Sequence, residues 1–143
     1  MSLADKTTTG MKADPETEQA IARANRQAEA LFAQGEMNEV AKAYYTEDSC
    51  YVTPDQKILR GRAAIAEFLT EVSRSVGATR LRLEPLITCS SFPHGGYAYQ
   101  VGNGILVRSD GQEIGTHYLC IFRKVGQEWF CETDMSNFGL LPG

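Results

Sequence analysis

The hydrophobic period of the sequence changes at Gly77, and this change limits the possible folds more than any other feature. Before Gly77, apolar residues recur every three or four positions, as on the buried face of an amphipathic helix. After Gly77, apolar and polar residues alternate, as in strands that bury one face. Helices followed by a run of strands predict an α+β domain, in which three N-terminal helices pack on one face of a mainly antiparallel sheet.

The helical segments are bounded by residues that favour helix ends. Helical spacing is found in residues 14–34, 37–46 and 62–76. Asp14 is a favourable N-cap for the first segment, and Pro15 suits its first helical position because the missing N–H has no partner there. Gly35 and Gly77 follow two of the segments, where a glycine readily ends a helix.

The strand segments are predicted from alternating apolar residues and from the turn residues between them. They comprise residues 49–54, 58–59, 81–89, 97–108, 113–124 and 128–138, with turns at 92–96, 109–112 and 125–127. The later strands are long and carry apolar residues on both faces. We therefore expect the sheet face away from the helices to be covered as well, by a homodimer formed through the sheet.

Length and charge bound the class of protein. The 143 residues suffice for one domain with its own core, and we expect a disordered leader at 1–13 followed by a single domain at 14–143. The net charge of −4 argues against nucleic acid and an anionic membrane surface as partners. The sequence contains no apolar run near the roughly 18 residues of a membrane-spanning helix.

The cysteines indicate a reducing compartment. Cys50, Cys89, Cys120 and Cys131 all fall in predicted strands, and no two of them are closely spaced in the sequence. Buried free thiols are the usual state of such residues in a cytoplasmic protein, so we expect that location. The spacing also lacks the neighbouring ligands of a zinc site, and we predict no metal.

Two stretches resemble the nuclear transport factor 2-like superfamily, in its SnoaL-like and ketosteroid isomerase-like branch. The first runs from Tyr45-Thr46-Glu47-Asp48 through a strand that ends at Pro54 to Arg60-Gly61-Arg62-Ala63-Ala64-Ile65. The second is the final strand, with the pattern W-x4-D-x2-N from Trp129 to Asn137. The resemblance implies a cone-shaped, cystatin-like roll. It also implies a ligand pocket between helices and sheet, and chemistry without a cofactor.

Comparison with ketosteroid isomerases argues against steroid isomerase activity. Those enzymes use an aspartate base with a tyrosine and a protonated aspartic acid as donors to the oxyanion, a worked example of pKa tuning. The resemblance places the base at Thr53 and the two donors at Ala28 and near Tyr118 in this sequence. The base is therefore absent. The alignment still implies that Thr53 and Tyr51 face the pocket.

Asp134 and His117 are the candidate acid/base residues. Asp134 lies in mid-strand, where a carboxylate is unfavourable unless it is paired or functional, and it matches the late-strand acid of SnoaL-like cyclases. His117 lies within the preceding strand, and an imidazole side chain is a common acid or base in enzymes. The alternative for Asp134 is a structural carboxylate that pairs with an arginine or caps a loop. The alternative for His117 is a hydrogen-bonded histidine within the sheet.

Aromatic residues in the strands are candidates for ligand contact. Tyr99 and Tyr118, together with Tyr51 and Thr53, are predicted to shape a pocket for a small hydrophobic molecule. Aromatic strand residues that only build a core or a dimer surface are the alternative.

Two functions remain open on the sequence. One is a cofactor-free isomerase, cyclase or hydratase acting on an apolar, oxygenated substrate. The other is a non-catalytic, dimeric module that binds a ligand or a protein. The two readings differ in whether the acid/base candidates meet in one enclosed cavity.

Overall fold

The computed structural model describes residues 12–90 and 96–143. Residues 1–11 of the expected leader and most of the expected turn at 92–96 lie outside these ranges. Within them, three helices are found: α1 (Pro15–Ala33), α2 (Met37–Tyr44) and α3 (Gly61–Val76). Asp14 Oδ1 accepts a hydrogen bond of 2.8 Å from the Thr17 N–H and so caps α1 as predicted. Gly77 ends α3 with φ +71°, a conformation that favours glycine.

The strands of the described ranges form one six-stranded mixed sheet. They are β1 (Tyr45–Val52), β2 (Ile58–Arg60), β3 (Ala78–Ser90), β4 (Tyr97–Arg108), β5 (Glu113–Val125) and β6 (Glu128–Phe138). The strand order is β2-β1-β6-β5-β4-β3, and neighbouring strands are antiparallel except for β1 and β6. The helices cover one face of this sheet. This arrangement confirms the predicted α+β class and the helix-on-sheet layers.

The junction of α2 and β1 differs from the sequence prediction. The helix ends at Tyr44 and the strand starts at Tyr45, whereas the sequence placed the helix end at Thr46 and the strand start at Ser49. Because the backbone changes from helical to extended between them, both tyrosines face the core, 5% and 4% exposed. Their ring centroids lie 5.2 Å apart. A continuous helix or strand would turn adjacent side chains in different directions.

A β-bulge in β6 decides which of its residues face the helices. Ile121 pairs with Thr133, but the next residue of β5, Phe122, pairs with Cys131, so Glu132 is an extra residue in β6. Residues 131 and 134 would face opposite sides of a regular strand. The extra residue brings Cys131 and Asp134 to the same face, and both are buried.

The N-terminal end of the described chain pairs with the edge of the sheet. Lys12 forms an isolated bridge with Cys89, and the Ala13 N–H donates to the Thr88 carbonyl at 3.1 Å. Ala13 is only 5% exposed. These two residues, which the sequence analysis placed in the leader, therefore cover part of the edge of β3.

Candidate functional site

A cavity of about 320 Å³ lies between the helices and the inner face of the sheet. Its size falls at the small end of the range of known ligand pockets. The lining is mostly apolar and comes from all three described helices and most strands. It comprises Ala28, Phe32, Val40, Tyr44, Tyr45, Tyr51, Pro54, Asp55, Phe68, Leu69, Val72, Leu81, Leu83, Gly104, Leu106, Thr116, Tyr118, Cys120, Asp134, Ser136 and Phe138.

Strand register explains the room inside the cavity. Leu83, Gly104, Thr116 and Phe138 pair in sequence across β3, β4, β5 and β6, and all four line the cavity. In the neighbouring row, a Cβ on Gly102 would lie 2.7 Å from Tyr118 Oη. Because Gly102 has no side chain, the Tyr118 side chain can lie directly over the backbone of β4 next to the cavity. The register shift between Pro85 and Ile87 lies beside Gly102, so the irregularity at this row is in β3.

Asp134 is the buried carboxyl of the cavity. Tyr45 Oη donates to its Oδ2 at 2.7 Å, and the residue is only 5% exposed. The other oxygen, Oδ1, has no hydrogen-bond partner of good geometry among the described residues. A buried acceptor without a partner costs stability, so this carboxyl, which also lines the cavity, is a candidate contact for a ligand.

Burial controls the acidity of Asp134. It raises the pKa of the carboxyl to about 6, while the Tyr45 hydroxyl, the Cys120 thiol and the Met135 N–H oppose the shift. A carboxyl that titrates near pH 6 exchanges a proton close to neutral pH, as a general acid or base must.

The tyrosine hydroxyls around the cavity are engaged by protein groups. Tyr44 Oη donates to Asn25 Oδ1 at 2.8 Å, and Tyr118 Oη donates to Gln100 Oε1 at 2.8 Å. Tyr51 Oη bonds Ser136 Oγ at 2.7 Å. These contacts leave the rings of the tyrosines as their main contribution to the cavity surface.

A polar network behind the cavity holds α1 and the sheet together. Asn25 and Gln100 are fully buried, and Asn25 Nδ2 donates to Gln100 Oε1 at 3.0 Å. Gln100 Nε2 donates in turn to Thr88 Oγ1 at 3.0 Å. Since Tyr44 and Tyr118 donate into the same network, it fixes two rings of the cavity wall.

Three of the six predicted site residues line the cavity: Tyr51, Tyr118 and Asp134. Thr53 is buried but closes the β1–β2 turn instead. Its hydroxyl donates to Asp55 Oδ1 and accepts the Lys57 N–H at 3.0 Å.

The other two predicted site residues lie on the opposite face of the sheet. His117 and Tyr99 alternate with Tyr118 and Gln100, whose side chains point toward the helices, and neither is among the residues lining the cavity. His117 Nδ1 lies 2.9 Å from the Gly139 carbonyl oxygen. Because that oxygen can only accept, Nδ1 carries the hydrogen. Asp134 and His117 therefore do not converge on one cavity.

Tyr45, Asp55 and Cys120 line the cavity although the sequence analysis did not select them. Tyr45 was not selected because the predicted helix continued to Thr46. In the structure Tyr45 is the first residue of β1, so its side chain faces the core beside Tyr44. Asp55 follows the end of β1, and the tight turn after Pro54 places it at the cavity edge, where it pairs with Lys57 at 3.4 Å.

Cysteines surround Asp134 without forming a convincing metal site. Among the described residues, Cys120, Cys131 and Asp134 each place one ligand atom within 4.8 Å of the others. Burial raises the pKa of both thiols, that of Cys131 to about 11. The neutral thiol is a poor metal ligand, and structural zinc sites use four ligands. We interpret the thiols as apolar packing around the carboxyl.

No protein-family model matches the chain, and no curated protein matches it. Several solved structures do match the chain. A domain of unknown function with a cystatin-like fold from Nostoc punctiforme is 21% identical, with a TM-score of 0.72, covering 90% of this chain and 81% of the other. An NTF-2-like protein of unknown function from Shewanella oneidensis is 15% identical, with a TM-score of 0.66, covering 85% and 98%.

The chain has the cystatin-like, NTF2-like fold. A third structure of this fold, a candidate scytalone dehydratase from Novosphingobium aromaticivorans, is 16% identical, with a TM-score of 0.65, covering 87% of this chain and 85% of the other. The resemblance inferred from the sequence is confirmed at the level of the fold. No helix in residues 12–90 and 96–143 has the length and apolar character to cross a membrane.

Proposed function

We propose that this NTF2-like domain binds a predominantly apolar, oxygenated small molecule in the cavity and uses Asp134 as a cofactor-free general acid or base. The observation that carries the proposal is the buried Asp134 carboxyl, which lines an apolar cavity and whose Oδ1 has no hydrogen-bond partner of good geometry among the described residues. The structural similarity to the candidate scytalone dehydratase supports a reaction of the isomerase, cyclase or hydratase type.

Tyr45 serves as a positioning residue in this proposal. Its hydrogen bond to Oδ2 holds the Asp134 carboxyl in place beside the cavity. Tyr51 and Tyr118 contribute the apolar wall against which a flat ligand packs. A cytoplasmic location agrees with the free state of all four cysteines.

The test compares Asp134→Asn with the unmodified protein. Molecules retained through purification are first identified by native mass spectrometry, and their conversion and binding are then measured. We expect the variant to bind a neutral ligand but to lose at least about a hundredfold in turnover, as on loss of a general acid or base. Turnover unchanged by Asp134→Asn would contradict the catalytic role and favour the non-catalytic module.

We also propose a homodimer through the outer sheet face. Ile87, Val101, Leu119 and Met135 pair in sequence across β3, β4, β5 and β6 on the face away from the helices. Ile87, Leu119 and Met135 are 49%, 39% and 49% exposed, an unusual exposure for a contiguous apolar row. A second copy of the chain would bury this row in the way that the sequence analysis expected.

A further inference from the structure

The charges around the cavity suggest what group Asp134 receives. Its carboxyl is buried and has one oxygen without a partner among the described residues. None of the described residues that line the cavity is a lysine, arginine or histidine. A buried carboxylate is costly unless a proton or a cation neutralises it, and the protein supplies no cation there.

Aromatic rings surround the carboxyl. Tyr44, Tyr45, Tyr51 and Phe68 form a continuous series along the cavity, with successive ring centroids 5.2, 6.3 and 5.2 Å apart. All four line the cavity, together with Tyr118. Aromatic rings attract organic cations through the negative potential of their faces, most strongly where water is excluded.

We propose that the cavity binds an apolar organic ammonium ion, whose protonated amine pairs with the carboxylate of Asp134 while its hydrocarbon part packs on the aromatic wall. The inference rests on the proposed small-molecule function of the cavity and names the charged group of the ligand. An anionic ligand would be repelled by Asp134. A neutral carbonyl would have to accept from the Tyr51–Ser136 pair or from a protonated Asp134, because the hydroxyls of Tyr44, Tyr45 and Tyr118 already donate to protein acceptors.

The hydroxyl and thiol groups that face Asp134 carry no charge near pH 7. They are Tyr44 from α2, Tyr45 and Tyr51 from β1, Tyr118 and Cys120 from β5, and Cys131 from β6. Burial raises the pKa of every one of these hydroxyls and thiols, so all are neutral near pH 7. The lining residues of α1 and α3 are apolar. Asp55, at the cavity edge after β1, is a second carboxylate, and it pairs with Lys57 at 3.4 Å. Ionisation of Asp134 therefore governs the charge that a ligand meets inside the cavity.

Three probes with the same ring test the proposal: naphthylethylamine, naphthylethanol and naphthylacetic acid. Their dissociation constants are measured by calorimetry near pH 8 and near pH 5. We expect the amine to bind at least about tenfold more tightly than the alcohol near pH 8, the gain typical of a charge-assisted hydrogen bond, and the acid to bind least. Amine affinity should fall toward pH 5, because protonation of Asp134 removes the carboxylate.

Variants separate this inference from the proposed function. Asp134→Asn should abolish the preference for the amine over the alcohol, whereas Asp110→Asn, in the exposed β4–β5 turn, should retain it. Equal or tighter binding of the alcohol, or an amine preference that survives Asp134→Asn, would overturn the ammonium proposal while leaving a neutral-ligand cavity intact. Failure of all three probes to bind would count against both proposals.

Discussion

Tyr45 Oη donates to Asp134 Oδ2 across 2.7 Å, and this bond joins the first residue of β1 to the centre of β6. The two strands are parallel neighbours. The hydroxyl holds one carboxyl oxygen, whereas the other has no hydrogen-bond partner of good geometry among the described residues. The bond favours the ionised carboxyl, whereas burial disfavours it more strongly and sets the net direction of the pKa shift.

Asp134→Asn should change how stability depends on pH. The folded pKa of about 6 lies above the ordinary value of 3.8, so the folded protein holds this proton more firmly than the unfolded chain. The carboxyl therefore reduces stability as pH rises from about 4 to about 6, by up to about 3 kcal/mol in total. We expect the variant to gain stability relative to the unmodified protein by this amount between pH 4 and pH 8. Urea unfolding at both pH values measures it, and a pH-independent difference would contradict the buried, titrating carboxyl.

Val72→Trp should block the cavity. Val72 lies on α3 and lines the cavity, so a larger ring there occupies the space that a ligand needs. We expect binding of naphthylethanol, measured by fluorescence titration, to weaken by at least about tenfold. Ser75→Trp, an exposed position on the same helix, is the matched control and should bind as before. Equal binding by both variants would show that the probe binds elsewhere.

Gly102→Ala should destabilise the protein more than Gly104→Ala. A Cβ on Gly102 would lie 2.6 Å from the Glu84 carbonyl oxygen and 2.9 Å from Pro85 Cα, and these backbone atoms cannot move without disturbing β3. The nearest atom to a Cβ on Gly104 is Thr116 Oγ1 at 2.9 Å, which can rotate away. We expect losses in unfolding free energy of about 2–3 and about 1 kcal/mol respectively, measured by urea denaturation. The reverse order would contradict the close approach at Gly102.

Asn103→Ala should release the C-terminal tail. Asn103 Nδ2 donates to the Leu141 carbonyl at 2.9 Å, and Asn103 Oδ1 accepts the Leu141 N–H at 2.8 Å. Loss of both bonds should cost about 1–3 kcal/mol of local stability and speed hydrogen exchange at the Leu141 amide. Asn137→Ala, at an exposed position in the same row of the sheet, should leave that amide protected.

Leu119→Lys should prevent the proposed homodimer. A charge in the middle of the apolar row on the outer face would have to be buried against a second copy. We expect analytical ultracentrifugation to find the unmodified protein as a dimer and this variant as a monomer. Val125→Lys, an exposed apolar position at the end of β5, should remain dimeric. If the unmodified protein sediments as a monomer, the dimer proposal is wrong.

Local patterns in the sequence predicted most elements because their signals involve only neighbouring residues. The alternation between Tyr97 and Arg108 and between Glu128 and Phe138 gave both strand bounds as observed. The start of β1 was misplaced by four residues, since Thr46 to Asp48 carry no apolar alternation. Whether His117 and Asp134 share a cavity depends on which face each strand presents, and a period of two does not say which face is inward.

The sequence by itself determined the fold class and the layers and selected Asp134 as a candidate, because periodicity and an unusual mid-strand carboxyl are visible without a structure. Only the tertiary structure decided which residues share the cavity. The extra residue at Glu132 turns Asp134 to the same face as Cys131, and the helix-to-strand change after Tyr44 brings Tyr45 within hydrogen-bond distance of it. Register and backbone geometry of this kind arise from packing between distant segments, so no local pattern encodes them.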